Sequence, residues 1–303
     1  MRKTAVAALL LALAVLAGCA PAAPVPTPEP TPETTPEAEF YFTRENFPVL
    51  DGSTSMVPLA EAAAAVLLGE DDASDLISFN RTSQSFRNLA NGNCDALVVA
   101  EPAENVLTEL SDMGFEYDMA KILNDALIFV VSEDNPVDSL TAGQVRGIYS
   151  GEITNWSEVG GDDVEIVPFQ RNAEAGSQAA MLRVVMDGTP MMEPPEDYVI
   201  DSMGGLMESV RNFDGSAGAI GYSVYYYAND MRMAEGLKII SVDGVAPSDE
   251  SIAAGEYPFL VPGYAVVAHS EPAGSPARIF WDWLQSEEGQ YLIAEMGYVP
   301  AAG

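Results

Sequence analysis

The stretch Asp51-Gly52-Ser53-Thr54-Ser55-Met56-Val57-Pro58 lies between an apolar piece, Phe47-Pro48-Val49-Leu50, and an alanine- and leucine-rich run, Leu59 to Leu68, that stops at Gly69. The first piece reads as a strand. The second reads as a helix by propensity, with glycine at its stop. A glycine turn and three consecutive hydroxyls therefore separate a strand end from a helix start. Ser55 is the expected N-cap, and Pro58 falls in the first turn, where a missing N–H costs little. A helix start exposes unpaired N–H groups and the positive end of the dipole, so anions are favoured there. A capped helix without a ligand carries the same local signature, so the stretch alone leaves both readings open.

The unit recurs downstream. Leu76 to Phe79 is a short apolar run, followed by a hydroxyl-rich turn with Thr82 and Ser83 and a helix that ends near Gly92. Cys94 to Ala100 is a third strand leading into Glu101-Pro102, and Ala103 to Met113 is helical, with Gly114 as its stop. This βαβαβα order predicts a mainly parallel sheet with helices on both faces, and ligands in such sheets sit at the carboxyl ends of the strands. Further strands are expected at Asp125–Ser132, Glu165–Phe169, Ala217–Tyr222 and Gly263–Ala268, with a hairpin through Asp243-Gly244. Helices are expected at Leu140–Tyr149, Ala179–Met186, Ser202–Phe213 and Ser275–Met296, the last interrupted near Glu288-Gly289. Gln170-Arg171 ends one strand just before Gly176-Ser177 opens a helix. Arginine gives planar, bidentate contact to oxyanions, although a surface salt bridge is its commoner fate.

The first 19 residues stand apart from the fold. Arg2 and Lys3 precede an apolar run, and Leu16-Ala17-Gly18-Cys19 ends it. This is a signal peptide, too short for a comfortable membrane span. Leu-Ala-Gly-Cys resembles the lipobox of bacterial lipoproteins, which implies cleavage before Cys19 and a diacylglyceryl thioether on its sulfur; an ordinary secretory signal is the alternative. Residues 20–39 alternate proline with Thr and Glu. Such a segment builds no core and favours an extended polyproline spacer, reaching roughly 60 Å at ~3.1 Å per residue. The expected organisation is a signal peptide at 1–19, a linker at 20–39 and a binding domain at 40–303, with one lobe at about 40–128 and 262–303 and the other at about 129–261.

Charge and cysteine usage narrow the function. The chain carries 13 basic and 46 acidic residues for a net charge of −33, and −35 without residues 1–19, which hold two basic and no acidic side chains. That excludes nucleic acid and anionic lipid surfaces as partners. Any anion site has to be built locally, against an adverse overall field. With Cys19 lipidated, Cys94 has no partner and reads as a buried small hydrophobe. One histidine, His269, and one free cysteine leave no Cys/His zinc cluster and no choice of histidines for a Ser-His-Asp triad. No cofactor or metal is expected, and no catalytic residue.

Several phrases together resemble the phosphate-binding lipoproteins of bacterial phosphate ABC importers: Asp51-Gly-Ser-Thr-Ser with Pro58, Ile153-Thr-Asn-Trp-Ser-Glu-Val-Gly, Gln170-Arg171 with Gly176-Ser177, and Gly218-Ala-Ile-Gly-Tyr222. The resemblance covers about residues 46–300. It implies an α/β class II periplasmic-binding-protein fold with two lobes, each a mainly parallel sheet flanked by helices, joined by two crossing strands around a ligand cleft. It also implies ligand contacts from Ser53, Thr54 and Ser55, from Thr82 and Ser83, and from Arg171, Gly176 and Ser177. Two positions depart from the family pattern. Ala175 stands where a serine is usual, and Glu101-Pro102 is the nearest match to an aspartate beside a proline.

Physical logic agrees with the resemblance. A desolvated oxyanion needs many directed donors, which hydroxyls and helix-start amides supply without much added charge. Monoprotic phosphate still has a proton to donate, whereas sulfate at neutral pH has none. A carboxylate at Glu101 would accept that proton's hydrogen bond and repel the fully ionised ion. The expected protein is a membrane-anchored, extracytoplasmic monomer that binds inorganic phosphate and delivers it to an ABC transporter permease. The alternatives are a receptor for sulfate, molybdate or tungstate, a hydrolase using Ser53 or Ser177, and a surface scaffold without a ligand. Neither serine lies in a Gly-x-Ser-x-Gly motif.

Overall fold

The structure, a computed structural model, describes residues 41–213 and 216–301; the signal peptide, Cys19 and the linker lie outside the described residues. The chain opens with β1 (Leu50–Gly52), a 3-10 turn at Thr54–Met56 and α1 (Val57–Leu68), then α2 (Thr82–Ala90), β2 (Ala96–Val99), α3 (Glu104–Asp112) and β3 (Tyr117–Asn124). It crosses into β4 (Leu127–Ser132), β5 (Ser139–Leu140), α4 (Ala142–Ser150), β6 (Val167–Pro168), β7 (Gln170–Arg171) and α5 (Gly176–Ala180). There follow β8 (Val199–Ile200), α6 (Met203–Arg211), β9 (Ala219–Val224), α7 (Tyr225–Asn229), β10 (Leu237–Val242) and α8 (Asp249–Ala253). The chain returns through β11 (Gly263–Ala268), α9 (Pro276–Gln285), α10 (Glu287–Glu295) and β12 (Val299–Pro300).

The result is a two-lobed α/β fold. One sheet has the order β1-β2-β11-β3-β12 and the other β5-β10-β4-β9-β6, while β7 and β8 form a separate two-stranded ribbon. Both sheets are mixed, which corrects the expectation of mainly parallel ones. β1 and β2 are parallel, but β11 returns between β2 and β3 and runs antiparallel to both. In the other sheet β4 runs antiparallel to both β10 and β9.

The sheet of β1 is buried on both faces, which explains why β2 is a continuous apolar run. Ala96 and Val98 pack with Leu59, Phe280 and Ile293 on one side. Leu97 and Val99 pack with Phe86, Val106 and Leu110 on the other. β4 is equally apolar, and Leu127 through Val131 are fully enclosed by side chains that include Ile148, Leu206 and Val210. Gly221 in β9 is required there, since a Cβ would meet the Leu206 side chain at 2.5 Å and that of Val210 at 2.7 Å.

The two crossings between lobes lie side by side. The Leu127 amide donates to the Phe259 carbonyl and the Val261 amide to that of Asp125, both at 2.8 Å. Asp125 thus sits in the narrow neck between the two sheets.

Several local expectations need correction. Ser55 is not a cap: the hydroxyl run folds as a 3-10 turn, and α1 starts after Met56 with no side-chain cap. The strand expected at Leu76–Phe79 is not formed: Leu76 closes a 3-10 turn from Ser74, residues 77–79 pair with no strand among the described residues, and the next residue, Asn80, gives its amide to Asp51 Oδ1 at 2.6 Å. β3 was not anticipated. The Asp243-Gly244 turn returns only as far as one bridge, between Val242 and Val245. The long C-terminal helix breaks at Ser286, whose side chain accepts from the Gly289 amide to cap α10.

Candidate functional site

Asp51 organises the first wall of the cleft. Its Oδ1 accepts from the Gly52 and Asn80 amides, and its Oδ2 accepts from the Asn80 and Asn88 side-chain amides at 2.9 and 2.7 Å. This buried carboxylate is saturated, and it fastens the end of β1 to the turn before α2. Ser53 and Thr82 are thereby brought together, their hydroxyls 2.9 Å apart, and the Ser53 hydroxyl also accepts from the Ala100 amide at 3.0 Å. Three turns that are far apart in sequence converge at one edge of the sheet.

The opposite wall is built around Arg171, and two of the sequence phrases place it. Trp156, in the Thr-Asn-Trp phrase, is buried and donates its indole N–H to the Gly218 carbonyl at 3.0 Å. Gly218 opens the Gly-Ala-Ile-Gly-Tyr phrase, whose Tyr222 hydroxyl accepts from the Arg171 amide at 2.9 Å and donates to Gln178 Oε1. The guanidinium is fixed by Nε to the Ile200 carbonyl at 2.9 Å, Nη2 to the Asp201 carbonyl at 3.0 Å, and Nη1 to the Ser177 hydroxyl at 3.2 Å. Arg171 is only 6% exposed, and among the described residues no carboxylate pairs with it. Burial lowers its pKa, Tyr222 opposes that, and the neighbouring Arg81 charge lowers it further.

Between the walls lies a cavity of about 300 Å³. Its lining includes Ser53, Thr54, Ser55, Thr82, Arg171, Gly176 and Ser177, seven of the nine expected ligand residues. The other two are elsewhere, and both expectations are corrected. Ser83 donates to the Glu174 carbonyl at 2.7 Å, which ties the lobes together outside the cavity. Glu101 turns to Arg183, 2.7 Å away, and accepts from the Tyr264 hydroxyl at 3.1 Å. A cation from the opposite lobe and a tyrosine on β11 together hold it out of the cavity. Arg87 adds a further tie, pairing with Glu109 at 2.7 Å and across the cleft with Glu174 at 2.8 Å.

Sequence reasoning missed the two other charged lining residues, Arg81 and Asp125. Asp125 is buried at the neck. Its Oδ1 accepts from the Ala126 amide at 2.7 Å and the Tyr226 amide at 3.2 Å, while its Oδ2 is buried with no partner. Desolvation, against those backbone hydrogen bonds, pushes its carboxyl up to about 7. The visible signal is an acid directly before a strongly apolar strand.

At Gly176 the two lobes approach closely. A Cβ there would lie 2.3 Å from Thr82 Oγ1 and 3.0 Å from its Cβ. Thr82 is β-branched, buried and hydrogen-bonded to Ser53, so it has little room to yield. Gly176→Ala is therefore expected to hold the cleft ajar and weaken anion binding about tenfold, the effect of an overpacking cost of about 1–3 kcal/mol. Calorimetric titration checks this; an unchanged dissociation constant would show that closure does not need that contact.

Comparison with known proteins gives a consistent picture. A family profile described as a PBP superfamily domain matches residues 48–288. The phosphate-binding protein PstS of Bacillus subtilis (strain 168) is 28% identical over 269 residues, 83% of this chain and 79% of that protein. A solved structure from Clostridium perfringens, assigned as a phosphate ABC transporter substrate-binding protein and holding bound phosphate, is 25% identical with a TM-score of 0.64, covering 83% of this chain and 98% of the other. An ABC-type phosphate transport receptor from Vibrio cholerae, 24% identical, shares the fold at a TM-score of 0.61 over 82% of this chain and 98% of its own.

Proposed function

The chain belongs to the PBP superfamily, and from that premise we propose that it captures inorganic phosphate between its lobes and delivers it to an ABC importer. One observation carries this reading: a buried guanidinium lines the cavity, and no carboxylate among the described residues forms an ion pair with it. An uncompensated buried charge is costly, and a bound anion removes the cost. The ligand shell is then Arg171, with the hydroxyls of Ser53, Thr54, Ser55, Thr82 and Ser177 and the close approach at Gly176. The protein acts as a receptor, not an enzyme. Its relatives named above are described as phosphate-binding or phosphate transport proteins. Its one histidine, His269, lies 2.8 Å from Asp118 and is no part of the cavity lining.

With Glu101 outside the cavity, sulfate is the anion to test against phosphate. Calorimetric titration of ligand-stripped protein (residues 40–303) with both is the decisive measurement. Phosphate binding with weaker or absent sulfate binding is the expected result; a preference for sulfate would reassign the receptor, and no binding of either would remove the reading.

The anchor is part of the same proposal. Cleavage before Cys19 and lipidation of its sulfur, with residues 20–39 as spacer, would hold the domain at the extracytoplasmic face as a monomer within reach of a permease. Lobe limits at about 40–128 with 262–303 and about 129–261 belong to this reading too. No helix among the described residues is long and apolar enough to cross a membrane. A multi-acyl anchor is stable where one chain is not. Cys19→Ala is expected to release the protein or leave the precursor uncleaved. Unaltered fractionation with membranes would end the anchor idea.

A further inference from the structure

Arg81 occupies a backbone conformation that glycine would adopt freely and arginine does not. Its φ of 71° and ψ of 162° fall in a region that is essentially glycine-only, at a cost of about 1–3 kcal/mol for other residues. Both flanks are pinned. Asn80 is held by Asp51, and the Arg81 carbonyl accepts from the Ser85 amide at 3.0 Å in the first turn of α2. Strain of this kind persists where the residue has work that glycine cannot do.

The side chain shows what that work is. Arg81 lines the same cavity as Arg171, but it comes from the other lobe. Its Nη1 donates to the Asp201 carbonyl at 3.4 Å, the same oxygen that accepts from Arg171 Nη2 at 3.0 Å and Asn172 Nδ2 at 3.3 Å. Two guanidiniums thus meet around one neutral oxygen, and the Arg81 charge adds to the cost of charging buried Arg171; the Asp201 carboxylate offsets this only in part. In a chain with 13 basic residues against 46 acidic ones, two cations gathered in one cleft are a built arrangement. The cavity, about 300 Å³, is larger than a five-heavy-atom ion fills, and Met56, Met203, Tyr227 and Val261 give it an apolar side.

We propose that Arg81 is a second anion-binding residue, which with Arg171 clamps one doubly charged phosphoryl group across the cleft, carried either by free phosphate or by a phosphate monoester. This deepens the phosphate reading and rests on it. A dianion bridging the two arginines would remove their repulsion only when the lobes are together, so ligand charge itself drives closure.

The test uses inorganic phosphate and glycerol 3-phosphate as dianions at pH 8, and dimethyl phosphate as a monoanion, titrated into wild type, Arg81→Gly and Arg81→Gln. Loss of a charge-assisted donor predicts a fall of about tenfold or more for the dianions in both variants, and a smaller fall for dimethyl phosphate. Arg81→Gly should melt, ligand-free, at or above the wild-type temperature, because it relieves the strain; Arg81→Gln keeps the strain and loses only the charge. Binding of glycerol 3-phosphate at least as tight as that of phosphate assigns the group to a monoester, and the reverse order assigns it to free phosphate. Wild-type dianion affinities in both variants would overturn the role of Arg81 while leaving the phosphate reading intact. A wild-type protein that binds neither dianion would overturn that reading and the clamp with it.

Discussion

Replacing Arg171 with alanine is expected to weaken phosphate binding by well over tenfold, at roughly 2–5 kcal/mol, the range for breaking a buried charge pair. The size follows from where the guanidinium sits. It is 6% exposed, so water cannot stand in for the lost donors. Three of its N–H groups are held by the Ile200 and Asp201 carbonyls and the Ser177 hydroxyl, which fixes the plane before any ligand arrives. A ligand then meets a charge that is already oriented, and little ordering entropy is spent on binding. Lysine is a poor substitute, since a point charge on a flexible stem cannot reproduce the fork. The measurement is titration of phosphate into folded Arg171→Ala, with thermal melting as a second readout. Saturating ligand stabilises a binding-competent protein by about 2.7 kcal/mol at one hundred times the dissociation constant. That ligand-dependent rise in melting temperature should vanish in the variant at the same phosphate concentration. A dissociation constant equal to that of wild type would remove Arg171 from the site.

The parts of this site that were legible in the sequence are those fixed by local chemistry. The helix that follows the hydroxyl run could be read directly, because Gly69 ends it with a left-handed φ of 66° and Pro58 fits its first turn. The strand before it lies at Leu50–Gly52 and takes in the expected glycine turn, later than the apolar piece Phe47–Leu50 suggests. Arg171 could be read because few cations compete with it and Gly176-Ser177 follows closely. What could not be read depends on partners distant in sequence. Glu101 does stand at a strand end beside the cleft, as expected, but Arg183 from the other lobe decides where its carboxylate points. Arg81 gave no signal, since strain is a property of φ and ψ and not of composition. Residues 77–79 look like a strand locally, yet Asp51 draws the next residue, Asn80, into a side-chain network instead of a ladder. β3 was missed because its burial is irregular, with only Ile122 and Leu123 fully inside.

Asp125 is expected to contribute stability in acid that is lost as pH rises towards neutral, opposite in sign to the contribution of paired carboxylates such as Glu174, whose pKa is lowered. An aspartate in the unfolded chain loses its proton near its ordinary value of 3.8, whereas in the fold burial holds it on up to about 7. Below about pH 3.8 both states are protonated and the group contributes no difference. Between the two values the unfolded chain releases the proton and the folded one keeps it, so stability falls with pH; above about 7 the loss is complete and constant. The rise corresponds to about 4 kcal/mol. Asp230, itself raised by burial, and the phenols of Tyr226 and Tyr298 interact electrostatically with Asp125; the phenols stay neutral across this range, and Asp230 titrates in both proteins under comparison. In Asp125→Asn the amide oxygen can still accept from the Ala126 amide, but no proton is exchanged. Denaturant unfolding of wild type and Asp125→Asn at pH 4 and pH 7.5 isolates the effect, because every other group cancels. The difference in unfolding free energy should move by about 4 kcal/mol in favour of the variant between those two pH values. Asp125 lines the cavity, and its Oδ2 is buried without a partner. An anion in the cavity raises the cost of ionising Asp125, so wild type should take up protons on binding near pH 7 and Asp125→Asn should take up fewer. Parallel stability curves for the two proteins would show instead that Asp125 titrates like an aspartate in water.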